Sequence, residues 1–286
     1  MLARIFLIAY LFAGLGQAAE QPVGTRLQDL CVTIRAGNTG GSGTLIVRPI
    51  EGKQVAWVLT AAHVVDGLRS VQDVIAPDGS PRKQVTYRDA EIRQEFRQDG
   101  SAVGGMNWLA KIVNIDPRRD LSLLRVRVTG RYADSIVFYL DDPVPPPGTR
   151  VYHCASPAGE AASLTSGIIA QTGRRIEQFG GAEAIFDQIT ASALPGSSGG
   201  MVTFESDGRL LGVLTLGLQG TDTFHYAVPV RRIKEWASEI NIKWLLDPKE
   251  KMPSEDELRK IPLENSPPGF GTRATTGVRT LIQVFQ

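Results

Sequence analysis

Short apolar runs cut by clusters of turn residues dominate the chain from Arg26 to Val126. Cys31-Val32-Thr33-Ile34 gives way to the glycine-rich stretch Gly37 to Gly43. Thr44-Leu45-Ile46-Val47 and Val55-Ala56-Trp57-Val58-Leu59-Thr60 follow. Val71 to Ile75, Val85-Thr86-Tyr87, Trp108 to Val113 and Leu121 to Val126 continue the series. Runs of this length with regular turn signals predict an all-β barrel or sandwich. The polar stretch Arg88 to Gly105 reads as a surface excursion between strands. Asp141-Asp142-Pro143-Val144-Pro145-Pro146-Pro147-Gly148 breaks the rhythm, because consecutive prolines cannot feed a central strand and form a stiff, extended linker. Strand-like runs resume at Arg150 to Cys154, Leu164 to Gln171, Ala184 to Ile189, Met201 to Phe204, Leu210 to Leu218 and Phe224 to Val228.

Beyond them Pro229 opens a helix, since Ile233, Trp236, Ala237, Ile240 and Trp244 recur at helical spacing. Its apolar face is expected to pack on the second β unit. The pattern therefore divides into a first β unit at 19–140, a linker at 141–149, a second β unit with its helix at 150–246, and a polar, proline-dotted tail at 247–286. That tail is too short for an independent domain. Its terminal run Leu281 to Phe285 could add a strand to this chain or to a partner and so regulate the site.

Residues 1–18 combine a charged start, an apolar run from Ile5 to Leu15 and small residues at a cleavage position, which describes a secretory signal peptide. The run is shorter than the roughly 20 apolar residues a membrane span needs, so no stable anchor is expected after cleavage. An exported protein, periplasmic or secreted, is the expectation. A formal charge of +1 offers no basic surface for nucleic acid. Two cysteines, Cys31 and Cys154, exclude a disulfide scaffold and a cysteine-based zinc site. In an exported protein they could bond, yet each also reads as a buried free thiol, the preferred reading. No metal or organic cofactor is indicated.

Candidate chemistry centres on Pro195-Gly196-Ser197-Ser198-Gly199-Gly200. Glycines around a serine permit a tight turn that exposes a hydroxyl and aims backbone amides at one spot. Serine is a weak nucleophile at neutral pH and needs a base and an orienting acid. Of the three histidines, His153 reads as a half-buried strand residue and His225 as a strand position near a pocket wall. His63 lies instead among small residues in Thr60-Ala61-Ala62-His63, where its ring can be held in one orientation. Asp120, at the mouth of the strand Leu121 to Val126, is the candidate acid, while Asp116 before Pro117 reads as a turn former. Gly196 to Gly200 also fits the elbow of α/β-hydrolases, but in that fold acid and histidine follow the serine. Here they precede it.

Thr60-Ala61-Ala62-His63, Asp120-Leu121-Ser122-Leu123-Leu124 and Gly196-Ser197-Ser198-Gly199-Gly200 together resemble the three catalytic segments of trypsin-like serine proteases, with the bacterial HtrA/Deg branch nearest. Gly41-Ser42-Gly43-Thr44-Leu45-Ile46, Leu164-Thr165-Ser166-Gly167-Ile168-Ile169 and Tyr226-Ala227-Val228-Pro229 extend the resemblance over roughly Leu27 to Ile240. It implies two six-stranded antiparallel β-barrels with the site between them, and hydrolysis of protein or peptide substrates through an acyl-enzyme. Ser198 would be the nucleophile, His63 the base and Asp120 the orienting carboxylate. The amides of Gly196, Ser197 and Ser198 would form the oxyanion hole. Ser197 stands where this branch usually has asparagine, and no PDZ domain is expected in the short tail. Pocket residues carried over are Ser192, Leu214, Thr215, Leu216 and Phe224, and they imply small aliphatic residues at the cleavage site. The alternative is a latent or non-cleaving protease-fold protein that binds unfolded chains.

Overall fold

The computed structural model describes residues 21–128, 134–141, 143–176, 184–218, 223–264 and 282–284. The stretch 1–18, expected to be a signal peptide, lies outside these residues. An amphipathic helix that the strand pattern did not foretell, α1 (Val23–Leu30), precedes the sheets and buries Leu27 and Leu30. The first unit is a closed antiparallel barrel of β1 (Cys31–Ala36), β2 (Thr39–Ile50), β3 (Lys53–Thr60), β6 (Ala90–Gln98), β7 (Ser101–Asp116) and β8 (Leu121–Val126). Its order is β1-β2-β3-β8-β7-β6, closed by pairing of β1 with β6. Two further strands, β4 (Arg69–Ile75) and β5 (Pro81–Tyr87), form a separate hairpin.

The second unit comprises β9 (Arg150–Ala155), β10 (Ser163–Arg175), β11 (Ile185–Ile189), β12 (Met201–Phe204), β13 (Leu210–Leu218) and β14 (His225–Pro229). These run in the order β12-β9-β10-β11-β14-β13, and β12 also pairs with β13, so this barrel closes as well. The all-β reading with two six-stranded barrels therefore holds. A short strand, β15 (Ile282–Val284), adds itself to the free side of β13.

One expectation fails in the first barrel. The polar stretch Arg88 to Gly105 is no excursion: it holds β6 and the start of β7, and β6 is the strand that closes the barrel. Ala90 and Ile92 are fully buried while Glu91 between them faces water. Two small anchors in a charged run are enough to seat a strand whose other face is wet.

The helix after β14 also does more than expected. Pro229 is the last residue of β14 and the N-cap, and α3 spans Val230–Glu239. Arg231 pairs with Asp187 of the second barrel, but the Trp236 Nε1–H donates to Asn114 Oδ1 of β7 at 2.9 Å, and Arg119 pairs with Glu239. So α3 ties the two barrels together rather than serving the second alone. A short helix, α4 (Lys243–Leu246), then sets Trp244 edge-on against Trp57, with ring centroids 5.0 Å apart. Arg48 donates to the carbonyl of Leu245 at 2.7 Å and ends that turn. The chain returns along the first barrel through α5 (Glu255–Leu258), which a Ser254–Glu257 capping box begins. Ile115 N–H donates to the Leu263 carbonyl, and Glu264 accepts from both Arg69 and Tyr87.

Cys31 and Cys154 are buried free thiols. The Cys154 thiol is pushed well up, first by its contact with Cys31 and then by burial. His153 is fully buried rather than half-buried, with Nδ1–H donating to the Met201 carbonyl at 3.1 Å. Burial, with a smaller push from His225, lowers its pKa from 6.5 to about 4. A ring that stays neutral when folded but takes a proton when unfolded makes stability fall as the pH drops from 6.5 towards 4. That loss amounts to about 3 kcal/mol. Melting temperatures measured across this range should decline for the wild type and decline much less for His153→Gln. Parallel curves for the two proteins would contradict the assignment.

Candidate active site

Pairing of β3 with β8, with Thr60 opposite Ser122, sets the geometry of the first barrel's share of the site. Just past Thr60 the chain turns into α2 (Ala62–Val65), whose second residue is His63. Just before Leu121 it leaves a tight turn that Asp116 builds by accepting from the Arg118 and Arg119 N–H groups. Asp120 ends this turn with φ +56°, a left-handed conformation that aspartate tolerates better than most residues. His63 and Asp120 thus start from neighbouring strand ends and meet. His63 Nδ1 lies 2.8 Å from Asp120 Oδ2, and the His63 backbone N–H donates to Oδ1 at 3.0 Å.

Such a contact places the proton on Nδ1 and leaves Nε2 as the free acceptor. Among the described residues, Nε2 is buried without a hydrogen-bond partner. From the second barrel the Thr215 hydroxyl donates to Asp120 Oδ2 as well. Burial alone would raise the Asp120 carboxyl. The charge of His63 and the hydrogen bonds from His63 and Thr215 outweigh it and lower the pKa to about 2.

Ser198 sits in the turn that joins β11 to β12. Gly199 has φ +84°, and a Cβ there would overlap the Ser42 carbonyl and the Thr60 hydroxyl, so only glycine fits. The Ser198 hydroxyl donates to the Thr215 carbonyl at 3.4 Å. A register shift between Leu214 and Leu216 marks a bulge in β13 at Thr215. Thr215 therefore touches Asp120 through its hydroxyl and Ser198 through its carbonyl. It is one of the residues through which the two halves of the site meet.

Ser42, on β2, holds the serine turn in place, a role its glycine-rich motif does not signal. Its N–H donates to the Ser198 carbonyl at 2.7 Å and its hydroxyl to the Gly196 carbonyl at 2.7 Å. The same hydroxyl accepts from the Ser156 N–H at 2.7 Å, and the Ser42 carbonyl accepts from Thr60. The Pro195 carbonyl, in turn, is held by the Ala158 N–H at 2.7 Å. In a trans peptide this points the Gly196 N–H the opposite way.

The oxyanion-hole expectation needs one correction. The Ser197 N–H donates to the Leu194 carbonyl at 2.9 Å, inside the turn, so it is not free for a substrate oxygen. Among the described backbone bonds, the amides of Gly196 and Ser198 are not engaged in this way. The side chain of Ser197 closes the same turn by accepting from the Leu194 N–H.

Of the other expected residues, Leu214, Thr215 and Leu216 follow one another on β13 and are buried. Ser192 is exposed, its carbonyl accepting from Thr165, and Phe224 is 39% exposed ahead of β14. A cavity of about 120 Å³ lined by Tyr139, Pro143, Val144, Pro145, Val230 and Lys234 lies at the linker and includes none of these residues.

The profile of the trypsin-like peptidase domain matches residues 41–213. A probable periplasmic serine endoprotease, DegP-like, of Bartonella henselae is 31% identical over 145 residues, covering 50% of this chain and 28% of the relative. Protease Do-like 5, chloroplastic, of Arabidopsis thaliana is 30% identical over 222 residues, covering 75% of this chain and 61% of the relative. The matched part thus spans under a third of the DegP-like relative's length. Among solved structures, the HtrA-type protease AlgW with a tripeptide superposes with a TM-score of 0.57 at 18% identity, covering 77% of this chain and 62% of AlgW. At that identity the likeness shows the fold.

Removing the Ser42 hydroxyl takes a partner from the buried Ser156 N–H and from the half-buried Gly196 carbonyl. Ser42→Ala should lower the unfolding free energy by about 1–3 kcal/mol in urea titration. Ser166→Ala, at an exposed position on β10, should change it by less than about 0.5 kcal/mol. Equal, small effects at the two serines would show that the bridge contributes nothing.

Proposed function

Because the chain belongs to the trypsin-like peptidase domain family, we propose that it is a serine endopeptidase that cleaves proteins through an acyl-enzyme. One observation carries this reading. The His63 ring and the Asp120 carboxylate, 2.8 Å apart, are tied through Thr215 to Ser198 of the other barrel.

In this reading Ser198 rotates its hydroxyl from the Thr215 carbonyl towards His63. Nε2 takes the proton while Oγ bonds to the substrate carbonyl carbon. The carbonyl electron pair moves onto oxygen, where the Gly196 and Ser198 N–H groups receive it; one such donor contributes on the order of a hundredfold or more in rate. Collapse breaks the C–N bond as His63 passes its proton to the leaving amine. Water then repeats the sequence on the acyl-enzyme and frees Ser198. Asp120, ionised at any pH well above about 2, holds the imidazole tautomer and balances the charge it gains.

An uncharged Ser192 and the apolar Leu214 favour small aliphatic residues such as alanine or valine at the cleavage site, with broad tolerance. Export, to the periplasm or beyond, is supported by the leader-like residues 1–18 and by the periplasmic description of the DegP-like relative. A second reading, a latent or non-cleaving protease-fold binding or chaperone protein, is favoured by the buried Ser198 and the unpartnered Nε2.

Reaction of the purified protein with a serine-directed fluorophosphonate tests the assignment. Labelling should be lost in Ser198→Ala and His63→Ala, and peptide hydrolysis should fall by at least about 10⁴-fold in each. A folded wild type that never labels would favour the latent reading instead. Peptides with alanine or valine before the cleaved bond should be preferred over those with arginine or glutamate.

A further inference from the structure

β13 offers one edge to three different partners in turn. β12 pairs with it from Leu210 to Val213. Next, the serine turn takes over at Leu214, whose carbonyl accepts from the Gly199 N–H and whose N–H donates to the Gly200 carbonyl. From Leu216 onward the partner is β15, running antiparallel with Leu216 opposite Val284, Gly217 opposite Gln283 and Leu218 opposite Ile282. Between the second and third partners stands Thr215, its carbonyl 3.4 Å from the Ser198 hydroxyl. β15 therefore runs towards Ser198 from Ile282 to Val284.

An extended peptide presented to Ser198 needs a strand edge to register its backbone, and peptides commonly bind by adding themselves to such an edge. The edge that leads to Ser198 from Leu218 is the one β15 covers. Two further features agree. Leu281-Ile282-Gln283-Val284-Phe285 is apolar and β-branched at the end of a polar tail, a composition suited to a strand. Ser198 is fully buried and His63 Nε2 is shielded, as in a site that is covered.

We propose that Ile282–Val284 is a resident strand on the Leu216–Leu218 edge, and that this C-terminal segment of the chain competes with peptide substrates for it. The proposal rests on the serine-peptidase reading and adds its regulation. Because the occupant belongs to the same chain, its occupancy is intramolecular and independent of protein concentration. Substrates that supply an apolar extended segment displace it, and anything that removes or captures the tail opens the site.

The test compares the full chain, a chain ending at Leu281, and full-length Gln283→Pro, which keeps the tail but takes a donor out of its strand and restricts its backbone. Each is measured for fluorophosphonate labelling, which needs only a small reagent at Ser198, and for hydrolysis of an alanine- or valine-containing hexapeptide. If the tail covers the edge nine-tenths of the time, kcat/KM for the hexapeptide should rise about tenfold in both altered chains. The change should lie in KM and be the same at every enzyme concentration. A synthetic peptide of residues 281–286 should inhibit the shortened chain competitively.

Equal hydrolysis by all three proteins that label with fluorophosphonate would overturn the proposal while leaving the peptidase reading intact. Inhibition that disappears on dilution of the full chain would also overturn it, since a second copy would then be the occupant. Labelling of none of the three would overturn the peptidase reading, and the proposal with it.

Discussion

Ser42 makes four hydrogen bonds, two through its backbone and two through one hydroxyl, and their partners come from three separate parts of the chain. The site depends on this junction because its groups are divided between two barrels. His63 and Asp120 belong to strands that pair directly, so the first barrel fixes their separation by itself. Ser198 has no such tie to them. Its turn hangs between β11 and β12, and the contacts that bring it against the first barrel are those of Ser42 to Ser198 and Gly196, and of Thr215 to Asp120. Apolar packing could hold two barrels together but would not fix a hydroxyl to within a fraction of an ångström. Directional hydrogen bonds in a buried seam can, because each group left unpaired there is expensive.

The same seam explains how a carboxylate survives at its centre. Asp120 is nearly fully buried, and desolvation is the largest influence on it. An isolated charge in that position would take up a proton instead. Asp120 stays ionised because its oxygens accept from the His63 ring, the His63 backbone and Thr215, one of them from the other barrel. His63, from the same barrel, contributes most to this, and barrel docking adds Thr215; α3 supports that docking from behind through Trp236 on Asn114 and Glu239 on Arg119.

Much of this was legible in the sequence, for identifiable reasons. His63, Asp120 and Ser198 each stand beside a run that had to be a strand, and each is bracketed by residues with little other purpose: alanines, a turn-forming Asp116, glycines. The division into two β units follows from short runs on either side of Pro143 to Pro147, and their form as barrels from the family resemblance. What escaped was of a different kind. β6 carries only Ala90 and Ile92 as inward anchors, and a barrel needs no more from a strand whose other face is wet. α1 is short and amphipathic in a region read for period two. Ser42 and Ala158 act through partners more than a hundred and more than thirty residues away, respectively, which no local pattern encodes. The Ser197 amide enters the oxyanion hole only by carry-over from the family resemblance, and which amide a turn itself consumes is decided by its closure, here onto Leu194.

Thr215 shows why local reading reaches its limit at the seam. In sequence it is one residue of an apolar strand, Val213-Leu214-Thr215-Leu216, where a threonine fits by β-propensity alone. In the fold the bulge at that position breaks the alternation, so that its hydroxyl and its carbonyl serve different neighbours. A regular strand would send those groups to its ladder or to the core. The irregularity lets one edge of β13 serve β12, the serine turn and β15 in succession, with the Ser198 hydroxyl at the joint between the second and the third. Access to Ser198 and pairing along β13 are consequently the same physical question, and whatever strand lies on Leu216–Leu218 decides what the serine can reach.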